Sequence, residues 1–423
     1  MTRILIESGH ERNRNAGDEA YFAAMVPLFR KYLDPVELVT FSDRPDRDRK
    51  RYDMEAVYSG GSIIKSLISL GKIINAIRKC DVYVWGAGQI LRDDTHILAP
   101  PYRLCRPFLA FLFGKKVMAY GAGIGPLESR RAKFLAKYVL NRFDLITYRD
   151  DTTGCILTDI GIRESILVKT VDPAFGLVAA DETAVDHLMD ELGLHSDKHP
   201  QVGIAAYGPA FRGAFRGLRG LVPAQMQAAR DMWQAGGKAQ YTEHVKLLAK
   251  AYDYMIRRYD AKLLFIVQDA SGQGLDDRIT RDIIKNMEND KQISVISADD
   301  YPPSLLKGLM GRMEMISGGR MHSLILACGM TTPILAICYE QKIKAFGAIV
   351  NQQDYFIDGY QLKNEKALIH QIDRVWKNRD QIRNQLEKQM SSLRIEVNRN
   401  ARRLANLAGI SSKKWNKSKS AGS

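Results

Sequence analysis

The feature that most constrains this chain is an alternation of short β-branched or apolar runs with helix-length amphipathic stretches, running through the first half and starting afresh near residue 202. Such alternation specifies parallel sheets covered by helices. In the first half the expected strands are Arg3–Glu7, Val36–Thr40, Asp81–Gly86, Lys116–Gly121 and Asp144–Tyr148. Between them lie helices expected near Asp18–Tyr32, Ile63–Arg78, Tyr102–Phe113, Arg130–Leu140 and Thr152–Ile160. This set describes one doubly wound domain.

A polar stretch from Asp181 to Pro200 interrupts the pattern and places a linker near residue 180. Beyond it the expected elements are strands at Val202–Ala206, Lys262–Gln268, Ile293–Ile296, Met313–Ile316 and Pro333–Ile337, with helices at Thr242–Tyr259 and Asp276–Met287. That is a second Rossmann-like unit. A chain of 423 residues exceeds what one core supports, so two α/β domains are expected, residues 1–180 and 181–410. A long charged helix is expected over Asp380–Leu407, and the composition of residues 411–423 predicts a disordered polar tail.

The 62 Lys and Arg against 48 Asp and Glu leave a formal charge of +14, which favours anionic partners. Phosphorylated metabolites and anionic membrane surfaces qualify. No nucleic-acid-binding module is present, so no nucleic-acid partner is expected. The five cysteines are scattered without a CxxC pair, as in thiols kept reduced. No metal-ligand spacing occurs, and neither a signal-peptide apolar run nor a stretch of about 20 apolar residues is found. A cytoplasmic protein without metal or cofactor is expected, with peripheral contact at the inner face of a membrane as an option.

In parallel sheets ligands bind beyond the carboxyl ends of strands. Three such loops stand out: ESGHERNRNAGDEA, containing Asn15, Gly17 and Asp18; WGAGQILRDDT, with Gly86 and Gly88; and AYGAGIGPL, with Gly121, Gly123 and Gly125. Glycine turns at helix starts let backbone N–H groups approach an anion, and equally serve as plain tight turns. GAGIGP imitates a dinucleotide fingerprint, but Asp144 begins the following strand where that motif needs an acid at its end. The strand ends instead in Tyr148-Arg149-Asp150-Asp151, placing a guanidinium at the mouth of the site.

The run Ser317–Gly347 (SGGRMHSLILACGMTTPILAICYEQKIKAFG) is the most specific. Gly318 and Gly319 permit an irregular turn, Arg320 and His322 open a helix over Met321–Cys328, and Lys342 follows the next strand. Two cations and an imidazole converge on one strand edge, which is an anion site.

This run, together with Asn15–Ala20, GAGQIL, GAGIGPL, YRDD and VDPAF, resembles the polysaccharide pyruvyl transferase family over most of residues 1–350; the Arg-x-His followed by P-I-x-A-I-x-Y-x-x-K is its most specific part. The chain departs at Ala87, where a third glycine is common, and in the insertion-like GPAFRGAFRGLRGLVP. The resemblance implies a GT-B-like α/β fold of two Rossmann-like domains facing a cleft, the N-terminal one on the acceptor side and the C-terminal one on the donor side. It further implies transfer of pyruvate from phosphoenolpyruvate to a saccharide, with or without a polyprenyl carrier, as a ketal.

By the same resemblance Arg320, His322, Lys342 and Arg149 handle the donor, and Gly17 and Asp18 match the family's N-terminal loop. Gly319 and Ser323 are expected beside them as donor ligands, and Asn15, Gly17 and the turn glycines Gly86, Gly88, Gly121 and Gly123 are expected to line the cleft. His322 is expected as general acid, since imidazole titrates near working pH, and Asp18 as the base, a residue that could equally be a helix cap. The arginine-rich segment Phe211–Arg219 either grips a lipid-pyrophosphate acceptor or an anionic membrane, or is a bare loop. A GT-B glycosyltransferase using a nucleotide sugar and a non-catalytic glycan- or membrane-binding scaffold are the competing expectations.

Overall fold

A computed structural model describes residues 1–9, 16–60, 68–86, 88–93, 98–194, 199–207, 237–268, 275–289 and 291–410. Asn15, Ala87, the Phe211–Arg219 segment and the 411–423 tail lie outside the described residues.

Two parallel sheets carry the fold. The first contains β1 (Thr2–Glu7), β2 (Val36–Ser42), β3 (Glu55–Tyr58), β4 (Val82–Trp85), β5 (Gly88–Leu91), β6 (Lys116–Ile124), β7 (Leu145–Tyr148) and β8 (Leu167–Lys169). Their order is β3-β2-β1-β4-β6-β7-β8, with β5 paired to the distal half of β6. Its helices are α1 (Ala16–Leu33), α2 (Pro45–Tyr52), α3 (Leu70–Lys79), α4 (Ala99–Leu112), α5 (Arg130–Leu140) and α6 (Asp151–Asp159).

The second sheet runs β11-β10-β9-β12-β13-β14, formed by β9 (Gln201–Ala205), β10 (Lys262–Val267), β11 (Ile293–Ser297), β12 (Met315–Gly318), β13 (Ile334–Cys338) and β14 (Phe356–Asp358). Around it are α7 (Glu182–Glu191), α8 (Gly237–Tyr259), α9 (Leu275–Lys285), α10 (Pro303–Gly311), α11 (Met321–Gly329), α12 (Gln341–Val350) and α13 (Glu365–Leu407). The central strands β4, β9 and β13 are buried along their whole length, as strands covered on both faces must be.

Strand order reverses between β1 and β4 in one sheet and between β9 and β12 in the other. These switch points are where open α/β sheets bind ligands. The two Rossmann-like domains expected from the alternation are present.

The compact units are residues 1–13, 21–176 and 393–423 for the first, and 14–20 with 177–392 for the second. A single division at residue 180 therefore misses two exchanged segments. The start of α1 belongs to the second unit, where the Ala16 N–H donates to the Gln268 carbonyl at the end of β10 (3.1 Å). The end of α13 belongs to the first unit. There Tyr32 donates to Asn398 (2.6 Å) and Lys116 to the Leu407 carbonyl (2.7 Å).

Helix α13 is longer than the charged run at Asp380–Leu407 suggests. Its buried seam begins at Leu368, Ile372 and Val375 and continues through Ile382, Leu386 and Met390, so packing rather than surface charge sets its start. No described helix is long and apolar enough to cross a membrane.

Candidate active site

The second unit concentrates charged and aromatic side chains at the carboxyl ends of β9, β12 and β13. Gly318 closes β12 beside β9: a Cβ there would lie 2.2 Å from the Ala205 carbonyl oxygen. At Gly319 a Cβ would lie 3.0 Å from both the Ile337 carbonyl and the Tyr339 ring. The glycine pair thus lets three strand ends converge. Gly319, expected to bind the donor through an open turn, is packed against protein.

Arg320 occupies the cap position of α11 with an extended backbone, and its side chain makes no cap bond. It reaches instead to Asp276 in the first turn of α9, donating from Nε (2.8 Å) and, in a second short bond, from Nη2. Asp276 is 1% exposed. The guanidinium also lies 4.3 Å from the centroid of the Tyr207 ring. A bidentate carboxylate and a stacked ring fix the plane of the fork.

Tyr207 continues the chain past β9 and donates its hydroxyl to Glu340 (2.9 Å). Burial, reinforced by the Glu340 carboxylate, pushes this phenol well above its usual range, so it remains a donor. The other Glu340 oxygen holds Lys342 Nζ at 3.0 Å. Lys342 sits in the first turn of α12 rather than in a basic loop. Asp276, Arg320, Tyr207, Glu340 and Lys342 form one chain of contacts, an ion pair at each end joined through the neutral Tyr207. Below it Tyr339 packs edge-on against Tyr207, with centroids 5.8 Å apart, and its hydroxyl shares a 2.6 Å hydrogen bond with His244 Nε2.

His322 is half-buried on α11 and faces the N-terminal segment. A Cβ on Gly17 would fall 2.1 Å from its Nδ1 and 2.5 Å from Cγ, so the ring approaches the glycine backbone too closely for any side chain at position 17. Asp18 is the next residue in the first turn of α1. Two motifs over 300 residues apart, the N-terminal loop and the Arg-x-His, therefore meet within the second unit.

Ser323, expected beside Arg320 as a donor ligand, is fully buried on the inner face of α11. One helical residue rotates the side chain by about 100°, which turns Ser323 into the core when His322 is directed at Gly17.

The first unit corrects the remaining expectations. Arg149 follows β7 but is buried, with Nη1 donating to Asp172 (2.6 Å) and Nε 3.5 Å from Asp150. Burial pulls its pKa down, but the two carboxylates more than compensate and it is raised. It is not a cation presented at a site mouth.

The GAGIG segment is not a turn into a helix. Its first four residues, Gly121–Ile124, are the distal half of β6, pairing with β5, and Gly125 follows the strand end. A Cβ on Gly121 would meet the Pro173 ring at 2.9 Å and one on Gly123 would meet Arg149 at 2.9 Å. Gly86 and Gly88, both at positive φ, make way for the Tyr120 carbonyl (2.8 Å) and the Tyr21 ring (2.6 Å). These four glycines are explained by close protein packing.

Sequence reasoning missed Glu7 at the carboxyl end of β1. It accepts a short hydrogen bond from Tyr83, and Arg106 Nη1 stands 3.3 Å away, with the guanidinium carbon Cζ 4.7 Å from the Phe41 ring centroid. Tyr207 and Glu340 were also missed, and Tyr339, a member of the P-I-x-A-I-x-Y-x-x-K motif, was given no role, although all three follow strand ends. Asp276 and His244 come from helices and carry no motif. Among the described residues no group of three or more His, Cys, Asp or Glu side chains could hold a metal ion.

In solved structures the same architecture recurs in a glycosyltransferase from Rickettsia africae, 12% identical, with TM-score 0.61 over 97% of this chain and 99% of that one. S. aureus MnaA in its UDP co-structure matches with 12% identity and TM-score 0.62, over 97% and 98% of the two chains. At such identity the likeness concerns the GT-B fold alone. The amylovoran biosynthesis protein AmsJ of Erwinia amylovora is 23% identical over 356 residues, 82% of this chain and 78% of that protein. The polysaccharide pyruvyl transferase profile matches residues 15–341, from the N-terminal loop through Arg320 and His322 at the start of α11 to Glu340 at the β13–α12 junction. The chain belongs to the polysaccharide pyruvyl transferase family.

Proposed function

We propose that this chain transfers pyruvate from phosphoenolpyruvate to a sugar of a polysaccharide or lipid-linked oligosaccharide as a ketal, releasing phosphate. The observation that carries this reading is the meeting of Gly17 and His322, which brings the imidazole of the Arg-x-His motif against the segment that carries Asp18.

Phosphoenolpyruvate carries a carboxylate and a phosphate, both suited to a planar guanidinium and a lysine. In this reading Arg320 and Lys342 bind those groups, held in place by Asp276 and Glu340 respectively. His322 gives a proton to the CH2 carbon of the enol. One sugar hydroxyl attacks the adjacent carbon, its proton passing to Asp18. Phosphate then leaves with the bond electrons, and a second hydroxyl closes the ketal, releasing its own proton. The balance requires no cofactor.

Arg149 then holds the first unit's β7 loop to the VDPAF segment rather than touching the donor. The role of AmsJ in amylovoran biosynthesis fits a polysaccharide acceptor.

The test is incubation with phosphoenolpyruvate and candidate lipid-linked oligosaccharides, followed by mass spectrometry for a pyruvyl ketal and assay of released phosphate. A parallel thermal-shift series compares phosphoenolpyruvate with UDP-glucose. Stabilisation by UDP-glucose alone, with glycosyl rather than pyruvyl transfer, would sink the proposal.

A further inference from the structure

We propose that the outer face of α4 and α5 in the first unit is a docking surface for an anionic lipid bilayer. The two helices pack side by side and bury Leu104, Ala110, Ala132, Ala136, Val139 and Leu140 toward the sheet. Their outward side is not the usual polar one. Phe134 is 72% exposed, Leu112 60%, Tyr138 44% and Phe111 38%.

These side chains are contiguous rather than scattered. Phe108 stacks on Phe111 with centroids 6.2 Å apart and leans on Tyr138 at 5.8 Å, which joins the two helices, and Phe134 lies one turn before Tyr138. Single exposed apolar residues need no explanation; a joined group of aromatics does.

Charge selects the partner. Neither helix contains an Asp or Glu in its sequence, APPYRLCRPFLAFL and RRAKFLAKYVL. Arg130, Arg131, Lys133 and Lys137 alternate with the aromatics along exposed α5. Arg142 stacks over Tyr138 at 3.6 Å and reaches Phe111 at 5.8 Å. Aromatic rings set among cations suit the headgroup layer of an anionic bilayer, where rings enter the interface and basic side chains meet phosphates.

A second copy of this chain is a poorer occupant. A two-fold interface sets each patch against itself, which would bring these cations together without an acid from either helix. The surface is argued from the first unit alone and is independent of the pyruvyl-transfer reading.

The test is co-sedimentation of the full chain with phosphatidylglycerol/phosphatidylcholine vesicles and with phosphatidylcholine vesicles alone. Wild type is expected to bind the former, to weaken as salt rises and to ignore the latter. L112E/F134E and R130E/R131E should each reduce binding about tenfold or more. All four positions are exposed, and unchanged thermal melts would establish that the variants fold.

Equal vesicle binding by wild type and both variants overturns the proposal, as does no binding by wild type. A dimer in sedimentation equilibrium that L112E/F134E dissolves, without vesicle binding, assigns the face to self-association and equally overturns it.

Discussion

Arg149 and Asp172, from two motifs 23 residues apart in the chain, form a buried ion pair with Nη1 and Oδ2 at 2.6 Å. The other Asp172 oxygen accepts from the Ala174 N–H at 2.9 Å, so one carboxylate ties the guanidinium to the VDPAF turn. Removing one partner of such a pair strands the other charge away from water. Asp172→Ala should therefore cost on the order of 3–5 kcal/mol in denaturant unfolding, while Arg149→Met combined with Asp172→Leu should recover a large part of it. A loss below about 1 kcal/mol in the single variant would show that the charge is met elsewhere.

Asp276 holds Arg320 through two donors, and its role is to aim the fork rather than to touch substrate. Asp276→Asn preserves shape but loses the charge-assisted bidentate pair. If Arg320 binds the donor, KM for phosphoenolpyruvate should rise about tenfold with kcat little changed, because the loss falls on ground state and transition state alike. A fall in kcat at constant KM would instead place Asp276 in the chemistry.

Much of this architecture is legible in the chain because a parallel sheet writes itself as local periodicity. The strands at 3–7, 36–40, 116–121 and 262–268 are near-continuous apolar runs, and their partners follow from the same rule. The short strands β3, β5, β8 and β14 were not legible: EAVY, GQIL, LVK and FID lack the uninterrupted apolar run of the equally short β4, VYVW, so pairing rather than local pattern decides them. The exchange of residues 16–20 and 393–407 between units was hidden for a related reason: each lies inside a continuous helix whose periodicity does not change at the boundary.

At the site, Arg320, His322 and Lys342 were legible because they sit within one supersecondary unit. Asp276 was not, for it approaches Arg320 from 44 residues away on another helix. The glycines misled for a physical reason. Glycine marks close approach, but sequence does not say whether backbone, ring or ligand comes near.

Gly17 tests that distinction directly. Its backbone does not require positive φ, so Ala should favour the helix by up to about 1 kcal/mol. Against this, the new methyl would fall within 2.1–2.9 Å of three His322 atoms, including Cβ and Cγ, which cannot swing clear without moving the whole ring. Displacement of the ring should dominate. Gly17→Ala is expected to lower kcat about tenfold or more while the melting temperature shifts little, since the two stability effects oppose. Full activity would show that His322 is free to move without consequence for turnover.

His244 provides a pH-dependent measurement separate from activity. Buried beside Tyr339, it has its pKa lowered from 6.5 to about 4 by desolvation of the charged form. The folded protein therefore binds fewer protons at this site than the unfolded chain between those values. Stability contributed by the neutral imidazole is intact above pH 6.5, declines as pH falls through the window, and is lost below about 4. The slope approaches about 1.4 kcal/mol per pH unit, and the whole effect is on the order of 3 kcal/mol. His244→Gln retains a hydrogen-bonding group toward Tyr339 but cannot titrate. Unfolding curves at pH 7, 6, 5 and 4.5 should thus show wild type losing more stability than the variant on acidification, about in proportion to that slope. Carboxylates titrate in both proteins and cancel in the difference, so parallel curves would mean that His244 is hydrated or charged in the folded state.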